Sequence, residues 1–201
     1  LAGRPLITHV LDVARALEPQ RMVVVYGHGG EVLPEAVRAP DLAFVRQEPQ
    51  LGTGHALAQA LPQLGAAGVT LVLYGDVPLI ELETLRAMLD TKRERVTILT
   101  TEADDPTGYG RVVRDRRGAV RAIVEDKDAS AAQRRIREIN TGIMALPTRR
   151  LKVWLSRIGN RNTQREYYLT DIVALALKDK VAVATVSTHA AREALGVNSK
   201  T

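Results

Sequence analysis

The sequence predicts an α/β protein with a mostly parallel sheet, helices on both of its faces and an antiparallel hairpin inserted after the middle. Short β-branched apolar runs alternate with amphipathic helical stretches through the first half of the chain. Paired short runs around a polar glycine turn begin after Asp105. With 201 residues, the chain has the size of one domain that buries a full core.

The first half of the chain continues this alternation element by element. Leu6, Val10, Val13 and Leu17 recur at helical spacing and predict the opening helix. The run "RMVVVYGHGG" is continuously apolar and ends in glycines, which is typical of a strand buried on both faces. Further elements are predicted as a short helix over 31–38, a strand over 42–45, a helix from Thr53, a strand over 69–76, a helix over 81–90 and a strand over 95–100.

The second half departs from the alternation. Two apolar runs in "GRVVRDRRGAVRAIVE" flank a turn at Gly118 and predict an antiparallel hairpin, an insertion or flap lying over the sheet. A strand over 138–146, helices over 149–158 and 166–178, and a strand over 181–187 follow.

Composition restricts the functional classes. The chain is 45% hydrophobic and holds no run near the ~20 apolar residues of a membrane span. It has no cysteine, which excludes disulfides, zinc–thiolate sites and cysteine nucleophiles and favours a cytoplasmic location. Lys and Arg exceed Asp and Glu by only 28 to 23, and aromatic residues make up 3%. The basic patches therefore indicate a solvated surface more than a nucleic-acid interface.

Candidate ligand-binding residues follow the predicted strands, where parallel sheets collect ligands. Asp76, in "LVLYGDVPLI", is either a ligand for a hard cation such as magnesium or the cap of the next turn. In "QEPQLGTGHALAQAL", Gly52 and Gly54 either shape a turn with Thr53 as the helix N-cap, or turn their N–H groups to a ligand. Gln47 would then pair with a base edge, for which its amide suits uracil. His55 is more typical of a local packing role than of acid–base catalysis.

Four further positions lie in the second half. Gly110 enters the hairpin and Glu125 leaves it, so both could face one cleft. Asn140, in "INTG", could bind a sugar hydroxyl or acyl group, and Asn198, in "GVNSKT", could give a second metal ligand. Taken alone, each of the four is more typical of a turn or a solvated loop than of a binding site.

Taken together, the stretches "QLGTGHA", "LYGDVPLI", "DPTGYGRVV", "IVEDKDA", "EINTGI", "EYYLTDI" and "GVN" resemble one family. This is the uridyltransferase domain of bacterial bifunctional N-acetylglucosamine-1-phosphate uridyltransferase/glucosamine-1-phosphate acetyltransferases. The resemblance spans essentially all 201 residues. It implies a Rossmann-like nucleotide-diphospho-sugar transferase fold.

The resemblance also implies a reaction and its site residues. UTP and N-acetylglucosamine 1-phosphate would give UDP-N-acetylglucosamine and pyrophosphate for peptidoglycan and lipopolysaccharide synthesis, with Mg²⁺ as cofactor and no nucleic-acid or membrane partner. The implied roles are uracil recognition by Gln47, Gly52 and Thr53, lining of the cleft by Tyr74 and Gly75, magnesium binding by Asp76 and Asn198, and sugar contact by Gly110, Glu125 and Asn140.

The sequence departs from the family pattern at both ends. That pattern starts with a strand and a Gly-rich loop whose Arg and Lys grip the triphosphate, whereas this sequence starts at "LAGRPL". It stops before the β-helix acetyltransferase domain through which the family forms trimers. We therefore expect residues 1–201 to be a nucleotidyltransferase domain without those parts and inactive alone. The alternatives are another sugar-1-phosphate nucleotidyltransferase and a non-catalytic nucleotide-sugar-binding fragment.

Overall fold

A computed structural model describes residues 3–89 and 94–188, together with residues 193 and 196. Within these residues, no helix has the length and apolar character needed to cross a membrane. The helices are α1 (Leu6–Arg15), α2 (Leu33–Ala36), α3 (Thr53–Ala60), α4 (Leu82–Leu89), α5 (Thr148–Leu155) and α6 (Asp171–Lys178). The strands are β1 (Met22–Tyr26), β2 (Leu42–Arg46), β3 (Val69–Val72), β4 (Arg95–Glu102), β5 (Gly110–Arg114), β6 (Val120–Val124), β7 (Glu138–Pro147) and β8 (Ala182–Ser187).

The predicted order of helices and strands is confirmed, with one difference that matters for function. Residues 166–170 were predicted as the start of a helix, but α6 begins only at Asp171. The backbone of Tyr167 instead bonds to the chain before and within α3: its N–H donates to the Leu51 carbonyl at 2.8 Å, and its carbonyl accepts from the Gly54 N–H at 2.7 Å. These bonds tie Tyr167 to the start of α3, and the chain reaches α6 through a turn at residues 169 and 170.

Strand β7 is the centre of the main sheet. Strand β4 pairs antiparallel along one edge of it, and β8 continues the sheet parallel to β4. The other edge of β7 is shared: β3 pairs with its carboxyl-terminal half, where Val72 faces Met144, and β5 pairs with its beginning, where Gly110 faces Asn140. Strands β3, β4, β5 and β8 therefore share one direction, and β6 and β7 run against them.

The hairpin of β5 and β6 is antiparallel as predicted, and Gly118 in its turn has φ +81°. The expectation that it lies over the sheet is wrong, because β5 pairs directly with β7 and extends the sheet edge.

Helices cover both faces of the main sheet, as predicted. Ile98 and Met144 point to the face covered by α5 and α6, where the fully buried Trp154 packs. Leu99 and Ile143, one position along in each strand, point to the opposite face and pack against α4. Helix α1 joins the α4 side through Val13, and α3 joins the α5–α6 side through Leu57.

Strands β1 and β2 form a separate parallel pair beside β3. Between β1 and β3 lies a cavity of about 1000 Å³, which we call the β1–β3 slot. Valine and leucine side chains of both strands line it, α1 and α3 contribute apolar residues, and it reaches Thr53, Tyr74 and Gly75. Apolar walls between two strand edges are the surroundings of a strand buried on both faces.

Candidate active site

The candidate site lies where β3 and β5 separate along the shared edge of β7. The chain leaving β3 places Tyr74 beside Gly142 of β7, and the start of β5 places Gly110 beside Asn140. Tyr74 and Gly110, which come from distant parts of the chain, are thus held beside two nearby positions of β7. The pairing register of the sheet, rather than a flexible loop, sets their separation.

Tyr74 is near candidate residues that come from separate parts of the chain. Its ring covers the bare backbone of Gly142 so closely that a methyl group there would lie 2.6 Å from the ring atom Cε2. Burial raises the pKa of the Tyr74 phenol to about 12, with further increases from the Glu125 and Asp76 carboxylates and an opposing effect of the Thr53 hydroxyl. Tyr74 therefore remains a neutral O–H group at physiological pH.

Glu125 faces Gly110, as the sequence predicts. A side chain at Gly110 would meet both carboxylate oxygens of Glu125 at 3.3–3.4 Å and Ile123 at 2.8 Å, so only glycine leaves room there. The Thr170 hydroxyl donates to Glu125 Oε1 at 2.7 Å. Burial raises the pKa of the Glu125 carboxyl, and the Thr170 hydrogen bond opposes that shift by stabilising the charged form.

A cavity of about 410 Å³ opens beside Glu125. Asp128, Tyr168 and Asp171 line it, together with Arg161. Burial raises the pKa of the Asp171 carboxyl, and the nearby Asp128 adds to the effect. Burial also raises the pKa of the Tyr168 phenol to about 12. The charged side chains of this cavity are therefore mainly acidic.

The start of α3 is built by glycines, but the N-cap differs from the sequence expectation. Gly52 is the N-cap residue, with φ +100°, and Thr53 is the first helical residue. The Thr53 hydroxyl accepts a hydrogen bond from the Leu169 N–H at 3.0 Å instead of capping the helix. A side chain at Gly52 or at Gly54 would lie within 2.9 Å of the Tyr167 carbonyl. These glycines are needed because the segment before α6 packs against the helix start.

Gln47 is half-buried next to this helix start. Its side-chain nitrogen Nε2 donates to the Gly52 carbonyl at 3.0 Å and lies 3.1 Å from His55 Nδ1. Gln47 therefore belongs to the same local structure as Gly52 and Thr53. The described contacts of His55 are with Gln47, Gln59 and the Tyr167 ring, which agrees with the local packing role that its position suggests.

Asp76 follows Tyr74 and Gly75 on the way out of β3 and is half-buried. No hydrogen bond or ion pair within the described part of the chain uses its carboxylate, so the alternative role as a turn cap receives no support. The same part of the chain contains no cluster of three or more His, Cys, Asp or Glu residues arranged for a metal. Asn198, the second predicted metal ligand, lies outside the described residues.

Asn140 is 6% exposed on β7. Its Oδ1 accepts from the Gly142 N–H at 3.2 Å. Within residues 3–89 and 94–188, no hydrogen bond uses the Asn140 amide nitrogen. It is a free donor beside Gly110 and Tyr74.

Sequence reasoning missed Gly142 and Thr170 as parts of the site. A glycine inside a predicted strand is a signal for close approach of another group, which the Tyr74 ring makes at Gly142. Thr170 lay in a segment predicted to be helical, and no sequence pattern indicates its contact with Glu125, 45 residues earlier.

Comparison with known proteins identifies the family. The model of the MobA-like NTP transferase domain matches residues 1–141. The chain belongs to this family. The match begins before α1 and ends within β7, so it includes Gln47, Tyr74, Asp76, Gly110, Glu125 and Asn140.

Other members of this NTP transferase family cover the whole chain. Proteins named bifunctional protein GlmU are 54% identical over 200 residues in Dechloromonas aromatica, 56% over 201 in Azoarcus sp. and 57% over 201 in Burkholderia lata. The chain spans 44% of the length of each of these relatives. A solved UDP-glucose pyrophosphorylase complexed with UDP-glucose superposes with a TM-score of 0.74 over 90% of this chain and 77% of that chain, at 17% identity. The predicted nucleotide-diphospho-sugar transferase fold is thereby confirmed.

The contact between Tyr74 and Gly142 predicts a stability effect. Gly142 has φ +89°, so Gly142→Ala combines backbone strain with a clash against the ring. We expect it to lower the free energy of unfolding by about 2–4 kcal/mol, measured by urea denaturation. Gly118→Ala is the matched control, because φ is +81° there and no atom lies within 4 Å of the added methyl group. It should cost about 1 kcal/mol.

A double-mutant cycle isolates the ring contact. In a Tyr74→Ala background, Gly142→Ala should cost no more than Gly118→Ala, since only backbone strain remains. Strictly additive losses for Tyr74→Ala and Gly142→Ala would show that the ring does not rest on this glycine.

Proposed function

We propose that the chain is the uridylyltransferase part of a longer bifunctional protein and transfers UMP from UTP to N-acetylglucosamine 1-phosphate. The products are UDP-N-acetylglucosamine and pyrophosphate. The position of Tyr74 carries the proposal. Its ring packs on Gly142 of β7 next to Asn140, and its phenol pKa is affected by Thr53 at the predicted base site, by the predicted metal ligand Asp76 and by the predicted sugar contact Glu125. The identity of 52–57% to GlmU proteins along the entire chain supports the choice of substrates.

The base side of the cleft is the start of α3. Gln47, Gly52 and Thr53 lie together there, and glycine at position 52 lets the backbone come close to a flat ring. The amide nitrogen of Gln47 is already used by Gly52 and His55, so its oxygen is the group left for a base. An acceptor at this point complements the N3–H donor of uracil.

The sugar side lies beyond Tyr74. Glu125 accepts from Thr170 through one oxygen and keeps its other oxygen for a sugar hydroxyl, and the free amide nitrogen of Asn140 suits an acyl oxygen or a hydroxyl. Gly110 leaves room beside Glu125 for the ring of the sugar. The neutral hydroxyl of Tyr74 can donate to either substrate without adding negative charge.

Asp76 fits a magnesium site of the kind that uses one carboxylate and substrate phosphates. Its carboxylate has no competing partner within the described residues, and Mg²⁺ is commonly held by one or two protein carboxylates together with phosphate oxygens. We propose Asp76 and Asn198 as its protein ligands. Bound magnesium would neutralise charge on the phosphates as pyrophosphate leaves.

The residues of the cleft then act by binding and orientation. A phosphate oxygen of the sugar phosphate forms a bond to the α-phosphorus of UTP as the bond to pyrophosphate breaks. This nucleophile is an anion near neutral pH and needs no general base. Neither Tyr74, with a pKa near 12, nor Glu125, which is hydrogen-bonded on the sugar side, needs to move a proton.

We further propose that a strand preceding residue 1 occupies the β1–β3 slot. A strand there would pair with two strand edges and bury the apolar walls supplied by α1 and α3. The slot reaches Thr53, Tyr74 and Gly75, so the loop after such a strand would enter the cleft beside Asp76. This is where the resemblance implies a Gly-rich loop with Arg and Lys for the triphosphate. In the longer protein we propose a cytoplasmic trimer that serves cell-envelope synthesis.

A substrate panel tests the reaction. Pyrophosphate release by the full-length protein should be at least roughly tenfold faster with UTP and N-acetylglucosamine 1-phosphate than with another nucleoside triphosphate or with glucose 1-phosphate. Preference for a different base or sugar would assign the chain to another sugar-1-phosphate nucleotidyltransferase. Calorimetric binding of UDP-N-acetylglucosamine without turnover would instead make it a binding module.

The role of Asp76 predicts a large catalytic loss. In the full-length protein, Asp76→Ala should lower kcat by ~10²-fold or more, because misplaced charge forfeits ~3 kcal/mol of transition-state stabilisation. Asp76→Asn, which keeps the size and loses the charge, should be similarly slow. Asp104→Ala is the control, because that carboxylate is fully exposed and pairs only with Arg137 on the surface. Near-normal turnover of Asp76→Ala would remove it from the site.

If a preceding strand fills the β1–β3 slot, the chain that includes this strand should be more stable than residues 1–201 alone. Adding the natural preceding segment should raise the midpoint of thermal unfolding by roughly 10 °C and reduce binding of the apolar dye ANS, because the slot is filled. A Gly/Ser segment of equal length is the control and should change neither. Equal midpoints and equal dye binding for the natural and the Gly/Ser extensions would show that the slot is not a strand site.

A further inference from the structure

We propose that His55 is a positioning residue that fixes the Gln47 amide so that only its oxygen is offered to a nucleobase. This inference rests on the proposed function, since it concerns how the proposed base site selects its ligand. It assigns a role to the histidine of "QLGTGHA". The contacts of this histidine within the described residues do not support a role in acid–base catalysis.

The orientation of the Gln47 amide follows from the groups around it. The Gly52 carbonyl lies 3.0 Å from the side-chain nitrogen and accepts hydrogen bonds without donating any. The group facing it must therefore be the NH₂ of Gln47. If the amide were turned over, its oxygen would face the carbonyl oxygen, which is repulsive.

The second hydrogen of the same NH₂ group determines the state of His55. His55 Nδ1 lies 3.1 Å from Gln47 Nε2, so it must be the unprotonated acceptor of a neutral imidazole. The ring then carries its proton on Nε2, which lies 3.1 Å from Gln59 Nε2. Two N–H groups cannot face each other, so the Gln59 amide must turn by half a rotation to present its oxygen to the ring. That proton needs an acceptor, and Gln59 supplies one when its amide oxygen faces the ring. One arrangement of donors thus connects Gln59, His55, Gln47 and Gly52.

The ring is held firmly enough to impose this arrangement. His55 belongs to the first turn of α3, whose start is fixed by the bond from the Gly54 N–H to the Tyr167 carbonyl at 2.7 Å. The Tyr167 ring lies 6.4 Å from the His55 ring between centroids, with the planes tilted by 34°. Backbone, aromatic and amide contacts therefore approach the imidazole from three directions.

The consequence is a selective acceptor. Both hydrogens of the Gln47 amide are used, and within the described residues no group bonds to its Oε1, which is not sealed from solvent. An acceptor complements a base edge that donates, such as uracil N3–H, and opposes the unprotonated N3 of cytosine. Two acceptors, on Gly52 and on His55, resist the amide rotation that a cytosine would require.

Substitution of His55 in the full-length protein tests the proposal. Removing one of the two acceptors with His55→Leu should raise KM for UTP roughly tenfold and lower the preference for UTP over CTP severalfold. The value of kcat and the KM for the sugar phosphate should stay within about twofold. His55→Asn should restore most of both UTP parameters, because the Asn oxygen can stand near the position of Nδ1 and accept from Gln47.

Two comparisons make the test decisive. Gln59→Ala should change KM for UTP by less than about threefold, since water can accept from Nε2 while the Gln47 contact remains. An unchanged KM in His55→Leu, or equal losses for both substrates that His55→Asn does not rescue, would overturn the positioning role. If the unsubstituted protein shows no preference for UTP, the proposed function itself is wrong. If the unsubstituted protein prefers UTP and the His55 variants keep that preference, only the positioning role of His55 is wrong.

Discussion

The packing of the Tyr74 ring on the bare backbone of Gly142 is the contact on which the candidate site depends. It joins the end of β3 to the centre of β7 at the point where the two strands part. Because Asp76 follows Tyr74 by two residues and Asn140 precedes Gly142 by two, the same contact sets the distance between the proposed metal ligand and the proposed sugar contact. A larger residue at position 142 would move the ring and change that distance.

A second constraint connects the two ends of the cleft. Residues 167–170 pass the start of α3 and then reach Glu125: Tyr167 bonds to Leu51 and Gly54, the Leu169 N–H donates to Thr53, and Thr170 donates to Glu125. Over four residues, one segment is bound to both the proposed base side and the proposed sugar side. The glycines at 52 and 54 are required by this segment as much as by any ligand, which answers why the helix start is so rich in glycine.

The fold was accessible from the sequence because its signals are local. In apolar runs such as "RMVVVY" and in the Gly118 turn, a few consecutive residues determine the local structure. The predicted elements are present in the predicted order. The direction of β7 and the pairing of β5 with its edge were not accessible, since they depend on partners 28 or more residues away. The helix start at Asp171 was misplaced for the same reason: the bonds that hold Tyr167 and Leu169 outside the helix come from α3 and from Leu51 just before it. Within the site, Asp76 and Gln47 stand out by residue type and position, whereas Thr170 and the orientation of the Gln47 amide depend on contacts that no sequence pattern reports.

The candidate site has an excess of negative charge, although its proposed substrates are themselves anions. The chain carries a formal net charge of +5, yet the ionisable groups that affect Tyr74, Asp76 and Glu125, are carboxylates, and Asp128 and Asp171 add two more in the cavity beside Glu125. Arg161 lines the cavity beside Glu125, and the buried Arg111 is engaged by Asp126 and the Tyr109 carbonyl. Two phosphorylated substrates would meet repulsion in this cleft unless positive charge entered it. The β1–β3 slot reaches Tyr74 and Gly75, so a basic loop after a strand in the slot and a metal ion on Asp76 would both add positive charge near Tyr74. On this argument the carboxylates suit the uncharged hydroxyls of a sugar, and the phosphates belong at the mouth of the slot.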